Sequence, residues 1–269
     1  MKYHNYRKRV LEKMGKYRLL LSPNRRGTYR KREYEHILPK DCQDLNIIDK
    51  GYKCSIEEFE RKDKAKRHPY FSHLNSSQAL TLNLFGPLRH EHLLTSVLQM
   101  MEISTNAPLK GMFEKKGIER SNFDFYIESV DIKVFFEVKY TEYTILTKSK
   151  AEDNDLRWKK YYKDPMNMIL NDESKPSAKD KFFNQYQLWR NISVVCEEDN
   201  FSCFVFSKLR SDLEAEVANA KQLLKPNYAS RVKVLYIEDI CKKILETSDK
   251  KALKDHYTEF KEKYITNLE

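Results

Sequence analysis

Apolar and polar positions alternate most regularly over residues 122–141. Two runs rich in aromatic and β-branched residues, 122–128 and 133–141, are separated by Ser129, Val130, Asp131 and Ile132, a spacing short enough for a hairpin. They are predicted to be adjacent antiparallel strands. Side chains alternate across a strand, so Val134, Phe136, Val138 and Tyr140 share one face while Lys133, Phe135, Glu137, Lys139 and Thr141 share the other. In the first run Phe123, Phe125 and Ile127 form the apolar face, which leaves Asp124 and Tyr126 opposite. Two acids and a lysine can then converge.

Elsewhere the pattern changes period. Ser55 followed by Glu58 reads as a capping box opening a charged helix to about residue 66, ended by His68-Pro69. Ser76 and Ser77 are candidate N-caps for a helix carrying Ala79, Leu80, Leu82, Leu84 and Phe85. Gly86-Pro87 is expected to interrupt it, with a second helix over 88–103. The polar stretch 148–179 reads as a long loop, either a substrate-contacting insertion or a spacer, and 182–195 as one helix. Two apolar runs, 202–207 and 232–237, joined by a helix over 211–224, form a strand–helix–strand unit and hence a parallel pair. The stretch 238–269 reads as one or two charged helices.

Charge alters the picture at one end. Residues 1–40 hold thirteen Lys and Arg against three Glu, a balance of +10 that equals the net charge of the whole 269-residue chain. Tyrosines are interleaved with these cations, a composition suited to a polyphosphate backbone and, through stacking, to unpaired bases. Arg7, Lys8, Arg9, Arg25, Arg26, Arg30, Lys31 and Arg32 are the candidate nucleic-acid contacts. A solubilising tail or an anionic-membrane arm is the competing reading. We expect a basic N-terminal extension over 1–66 and an enzymatic domain over 67–269.

The five cysteines are odd in number and contain no Cys-x-x-Cys pair, which argues against a disulfide framework or a Cys-rich zinc site. No apolar run approaches the roughly 18 residues of a membrane span. A soluble, cytoplasmic protein with no membrane partner is expected.

Two carboxylates on rigid strands are hard oxygen ligands suited to Mg²⁺, and a neighbouring ammonium can orient water and stabilise charge on a phosphate. Glu-x-Lys alone carries little information here, since it recurs at Glu60/Lys62, Glu114/Lys116, Glu173/Lys175 and Glu259/Lys261. Only Glu137/Lys139 has its own apolar strand and a preceding strand with an inward acid.

At these residues the chain resembles the PD-(D/E)xK nuclease superfamily, whose pattern is an acid opening one strand, then Glu or Asp two residues before Lys on the next. Asp124, Glu137 and Lys139 match it, although Asn122 and Phe123 stand where the superfamily's name has a proline. Ser-Ser-Gln-Ala-Leu (76–80), Asn-Leu-Phe-Gly-Pro-Leu (83–88), Phe-Glu-Val-Lys-Tyr-Thr-Glu (136–142) and Tyr-Gln-Leu-Trp-Arg-Asn (186–191) extend the likeness to a bacterial restriction-endonuclease-like group over residues 70–210. The resemblance implies an α/β fold with a mixed central β-sheet flanked by helices. It also implies an enzyme hydrolysing DNA phosphodiesters with Mg²⁺, for which Mn²⁺ can substitute. Asp124, Glu137 and the Val138 carbonyl would be metal ligands, Lys139 the catalytic lysine, and Gln187 and Arg190 further site residues. An additional acid would come from Glu102, Glu114 or Glu91. A homodimer or paired sites are expected if both strands of a duplex are cut. A non-catalytic nucleic-acid-binding protein of the same fold, or an RNA nuclease, are the alternatives.

Overall fold

The computed structural model describes residues 2–48, 52, 58–117, 122–149 and 153–266. A small antiparallel pair, β1 (Gly27–Tyr29) and β2 (Arg32–Tyr34), stands apart from the central sheet. The central sheet has the order β3-β4-β5-β6-β7, built from Lys110–Lys116, Asn122–Glu128, Lys133–Val138, Asn200–Phe206 and Val232–Tyr236. The first three strands are antiparallel neighbours, and β5, β6 and β7 run parallel. The mixed sheet, the β4–β5 hairpin and the β6–β7 crossover match the expectation from the apolar runs. β3 was not foreseen.

Alternation sorts the sheet's two faces. Phe113, Phe125, Ile127, Val134, Phe136, Val138, Cys203, Val205 and Leu235 join one apolar core, while Phe204, Phe206 and Val232 join another on the opposite side. The first core is closed by α1 (Tyr3–Leu21), α2 (Ser77–His90), α3 (Leu94–Met100), and the last two helices, α8 (Ile237–Thr247) and α9 (Lys251–Tyr264). The second is closed by α4 (Lys163–Ile169), α5 (Ala178–Asn184), α6 (Tyr186–Ile192) and α7 (Ser211–Gln222). Helices thus cover both faces, the three-layer solution for strands buried on two sides.

Several expectations need correction. The N-terminal segment is not an appended arm: Tyr6, Val10, Met14 and Tyr17 recur at helical spacing in α1 and lie in the main core. Its cations Arg7, Lys8 and Arg9 occupy the exposed side of that helix. Tyr17 Oη donates to Glu259 Oε1 of α9 at 2.6 Å. The buried Arg18 guanidinium donates to the carbonyls of Glu35 and Arg25 at 2.8 and 2.9 Å.

α2 is capped as expected, Ser76 Oγ accepting from Ala79 N at 3.3 Å, but it runs straight through Gly86-Pro87. Proline has no N–H to give the carbonyl four residues back, and here His256 Nε2 donates to that Asn83 carbonyl at 2.7 Å instead. A partner from α9 thus replaces the missing helical bond. The helix continues to His90, and α3 covers only part of the expected 88–103.

The stretch 148–179 is not one long loop. Trp158, Tyr162, Met166 and Ile169 are spaced to share a helical face and lie in the second core. The expected helix over 182–195 is broken at Gln185, whose φ of −128° and ψ of 44° separate α5 from α6. Ser55 lies outside the described residues, and Glu58–Lys62 forms a single π-helical turn.

Candidate active site

The candidate site lies where the carboxyl end of β5 meets the amino end of β4. Glu137 and Lys139 are both buried there, with Nζ 2.9 Å from Glu137 Oε1. α6 packs over them and supplies three more polar groups. Gln187 Nε2 donates to Glu137 Oε1 at 2.7 Å while its Oε1 accepts from Lys139 Nζ at 3.1 Å, so one amide bridges acid and lysine. Asn191 Nδ2 donates to Glu137 Oε2 at 2.7 Å. Arg190 lies 3.6 Å from the same oxygen. Burial alone pushes the Glu137 carboxyl up, but Lys139 and Arg190 outweigh it and hold it below the usual range. Burial likewise pulls Lys139 down, and Glu137, Glu142 and Asp124 together keep its ammonium above its ordinary value. The pair is ionised.

Asp124 completes the expected trio. Its Oδ2 accepts from the backbone N–H of Val138 at 2.7 Å, so the strand that carries Glu137 fixes the acid of its neighbour. Burial, then Glu137, then Glu114 drive the Asp124 carboxyl well above the normal range. Of the three candidate upstream acids, Glu114 is the one that shares a cleft with Asp124 and bears on its charge. The pairings Phe113↔Phe125 and Lys115↔Phe123 bracket Glu114 and Asp124, and Phe125↔Phe136 precedes Asp124 and Glu137. The three acids therefore occupy neighbouring positions on three adjacent strands. Glu114 has a φ of 49°, an unusual conformation for a side-chain-bearing residue. Its carboxylate accepts from Gln78 Nε2 at 2.8 Å and Asn122 Nδ2 at 3.1 Å. Burial raises its pKa first, and the Glu137 charge adds to that.

The other two candidate acids lie elsewhere. Glu91 caps the opposite end of α2, where Tyr52 Oη donates to it at 2.9 Å and Lys250 pairs with it. That end is about 20 Å from Gln78 at helical rise. Glu102 is exposed on the turn after α3.

A cleft of about 520 Å³ opens onto the acids, and its lining includes Glu114, Asp124 and Glu142 together with Arg7, His68 and His73. Of the eight N-terminal candidates, Arg7 is the one that lines this cleft. Arg25 is engaged with Asp41 at 2.7 Å and Arg26 with Glu35 at 2.9 Å. Lys8 lies 3.9 Å from Glu12. Arg9, Arg30, Lys31 and Arg32 are exposed. Arg190 is turned inward, its guanidinium near the rings of Phe123 and Tyr186 at 5.8 and 5.9 Å. Phe123 also departs from the expected apolar face, packing on Phe135 with ring centroids 4.8 Å apart.

Asn191, Gln78 and Asn75 were not anticipated. Gln187 and Asn191 are four apart on a helix and so share a face, a signal that was available. Gln78 and Asn75 flank the Ser76 cap, where nothing local points to Glu114. Asn75 Nδ2 donates to Thr141 Oγ1 at 2.7 Å, while its buried Oδ1 has no hydrogen-bond partner.

The oxygen-rich donor set can be tested for a divalent cation. Among the described residues no three His, Cys, Asp or Glu side chains already surround one point as ligands. The chemistry nevertheless fits: Glu137 uses three of the about four acceptor positions of a carboxylate, Asp124 carries uncompensated neighbouring charge, and Asn75 Oδ1 is an orphaned acceptor in the cleft wall. Oxygen ligands with surplus negative charge suit a hard ion.

A family described as restriction endonuclease associating with ARP matches residues 7–265. The chain belongs to that family. Membership carries a restriction-endonuclease-like fold and a nuclease-like role, and the match extends across α1 as well as the sheet. No curated protein and no solved structure matches the chain. Among the described residues no helix is long and apolar enough to cross a membrane.

Proposed function

We propose that the protein is a metal-dependent deoxyribonuclease, acting as an endonuclease. The observation that carries this reading is the row of Glu114, Asp124 and Glu137 on adjacent strands with an ionised, buried Lys139 beside Glu137. A phosphate-binding surface has no use for three carboxylates unless a cation joins them. Asp124, Glu137 and the Val138 carbonyl, with Glu114 as a further donor, would hold Mg²⁺ or Mn²⁺. When bound, such an ion lowers the pKa of a coordinated water and draws charge from a phosphate.

The chain's own groups do the rest. Gln187 and Asn191 fix the orientation of Glu137 through both carboxylate oxygens, and Gln187 also orients the Lys139 ammonium. Lys139 stays charged and stabilises negative charge accumulating on the scissile phosphate. Arg7, in the lining of the same cleft, supplies a cation for the substrate backbone. One such site cuts one strand, so double-strand cleavage calls for a homodimer or paired sites.

The test is cleavage of supercoiled plasmid, linear duplex and single-stranded DNA by wild type and Lys139→Ala, with Mg²⁺, Mn²⁺ or EDTA. Wild type should cut only with metal, and the variant should lose about 10²–10³-fold in rate. Tight binding without cleavage under any metal would favour a binding protein of the same fold, and equal activity in the variant would remove Lys139 from the mechanism. A parallel RNA arm separates the ribonuclease reading.

A further inference from the structure

We infer that DNA enters this cleft as a single strand, with an unpaired base stacking on Tyr70 at its mouth. The inference deepens the nuclease reading and rests on it for the cleavage step, while the binding itself is independent of cleavage.

Tyr70 lines the same cleft as Glu114 and Asp124, yet 43% of its surface is exposed, with the exposed His68 and Pro69 before it and the fully buried Phe71 after it. A tyrosine left out of the core is unremarkable alone. This one is held from three sides: Tyr29 meets it edge-on at 5.4 Å and 87°, His68 at 4.9 Å and 63°, and His73 lies tilted at 5.2 Å. Its hydroxyl is 3.5 Å from that of Tyr29. A ring fixed before the ligand arrives gives up little conformational freedom on binding.

Cations lie in the same cleft and on the hairpin beyond Tyr29. Arg7 lines the cleft together with Tyr70. Beyond Tyr29, the β1–β2 hairpin turns through two residues, Arg30 and Lys31, between the paired Tyr29 and Arg32. Their φ values of 48° and 65° place both in the left-handed region, the tight hairpin geometry that usually selects Asn or Gly. The exposed cationic tip is therefore held in one shape, with the Arg30 guanidinium 5.2 Å over the Tyr29 ring. Tyr70 shares the cleft with the acids, Tyr29 packs on Tyr70, and Arg30 and Lys31 follow Tyr29 on the hairpin tip. Cations that track a backbone with an aromatic between them form the usual platform for unpaired strands. In a duplex, interior bases already have both faces stacked, so the exposed ring offers them nothing.

The test is binding of a short single strand carrying 2-aminopurine, measured by fluorescence quenching and anisotropy in EDTA, so that no metal-dependent cleavage intervenes. Wild type should quench the probe and bind the single strand at least tenfold tighter than the duplex of the same sequence. Tyr70→Ala should weaken single-strand binding by about tenfold and leave duplex binding within about twofold, while Tyr70→Phe, which keeps the ring, should retain the quenching. The inference is overturned if wild type prefers duplex, if it binds neither form, if the probe is not quenched, or if Tyr70→Ala weakens both forms equally. A protein that passes this test but cuts nothing in Mg²⁺ or Mn²⁺ would refute the nuclease reading alone.

Discussion

His256 offers a pH-dependent test of how α2 survives its internal proline. Its Nε2 donates to the Asn83 carbonyl that Pro87 leaves without a helical partner, and its Nδ1 is buried with no hydrogen-bond partner. A proton arriving at Nδ1 would strand both a charge and a donor. Burial accordingly pushes the imidazolium pKa down to about 4, against about 6.5 for an unfolded chain. The folded value lies below the unfolded one, so the unfolded chain takes up the proton first as pH falls. Stability that is fully present above about pH 6.5 is lost progressively towards about pH 4, to a limit of about 3 kcal/mol at 1.36 kcal/mol per unit.

The perturbation that isolates this group is His256→Gln, whose amide can still donate to the Asn83 carbonyl but cannot take the proton. Losing the ring's edge contact with Tyr52, centroids 5.5 Å apart, lowers the variant's stability at neutral pH. The informative quantity is therefore the difference in pH slope. Urea unfolding followed by the fluorescence of Trp158 and Trp189 at pH 7.5, 5.5 and 4.5 reads it. Wild type should lose about 2.5 kcal/mol more than the variant across that range. His36, also pushed down to about 4 by burial, and the carboxylates titrate in both proteins and cancel. Parallel stability curves would show that His256 does not take up its proton on unfolding, and the account of Pro87 would fail with it.

Other expectations concern the scaffold and the site. Phe85 on α2 stacks on Phe125 of β4 with centroids 4.4 Å apart and planes 8° from parallel; Phe85→Ala should cost about 3–5 kcal/mol in denaturant unfolding, and a loss below about 1 kcal/mol would mean the helix is held by something else. The buried Arg210 donates to the carbonyls of Glu142 and Tyr143 at 2.8 and 3.0 Å and pairs with Asp212. Arg210→Met should therefore destabilise by about 1–3 kcal/mol and reduce cleavage, since it fixes the chain just past Lys139; an unchanged melting temperature would refute this. Gln187→Met and Asn191→Leu remove donors to Glu137 and should each weaken Mg²⁺-supported cleavage by about 10–100-fold with little change in melting temperature. Wild-type rates at every Mg²⁺ concentration would show that neither amide positions the acid.

An element is legible in the sequence where a single local signal decides its structure. The β4–β5 hairpin and the β6–β7 unit are apolar runs bounded by polar punctuation, and β6 is buried along nearly its whole length. β3 escaped notice because Lys-Gly-Met-Phe-Glu-Lys-Lys carries only two large apolar residues. As an edge strand it needs little more, and its Phe113 N–H is paired by the Asp63 carboxylate at 3.0 Å rather than by another strand. Helix continuity departs from the local rule where a distant partner intervenes: Pro87 is tolerated because His256 is there. At Gln185 the backbone turns out of the helix although the apolar pattern carries through. Among the site residues, the spacing places Glu137 on β5 and Lys139 at its exit, but which upstream acid lies beside them depends on β3 pairing with β4, a contact without a local signature.

The cationic N-terminus shows why composition alone was a poor guide to its role. Thirteen cations in forty residues look like a solvated arm, yet α1 hides Tyr6, Val10 and Met14 in the main core and places Arg7 in the lining of the cleft that holds Glu114 and Asp124. Tyr3 Oη donates to the Thr141 carbonyl at 3.0 Å, and the Arg210 guanidinium sits 5.0 and 5.6 Å from the rings of Tyr3 and Tyr6. The same Arg210 holds the backbone just beyond Lys139. The first turn of α1 and the exit of β5 are thus tied through one buried cation, which makes the helix a wall of the cleft rather than an attachment to it. A nuclease that must gather a polyanion over three carboxylates needs positive charge close by but not so close that it neutralises them. A rigid helix fixes its charges in place, where those of a flexible tail would be free to collapse onto Asp124 and Glu114.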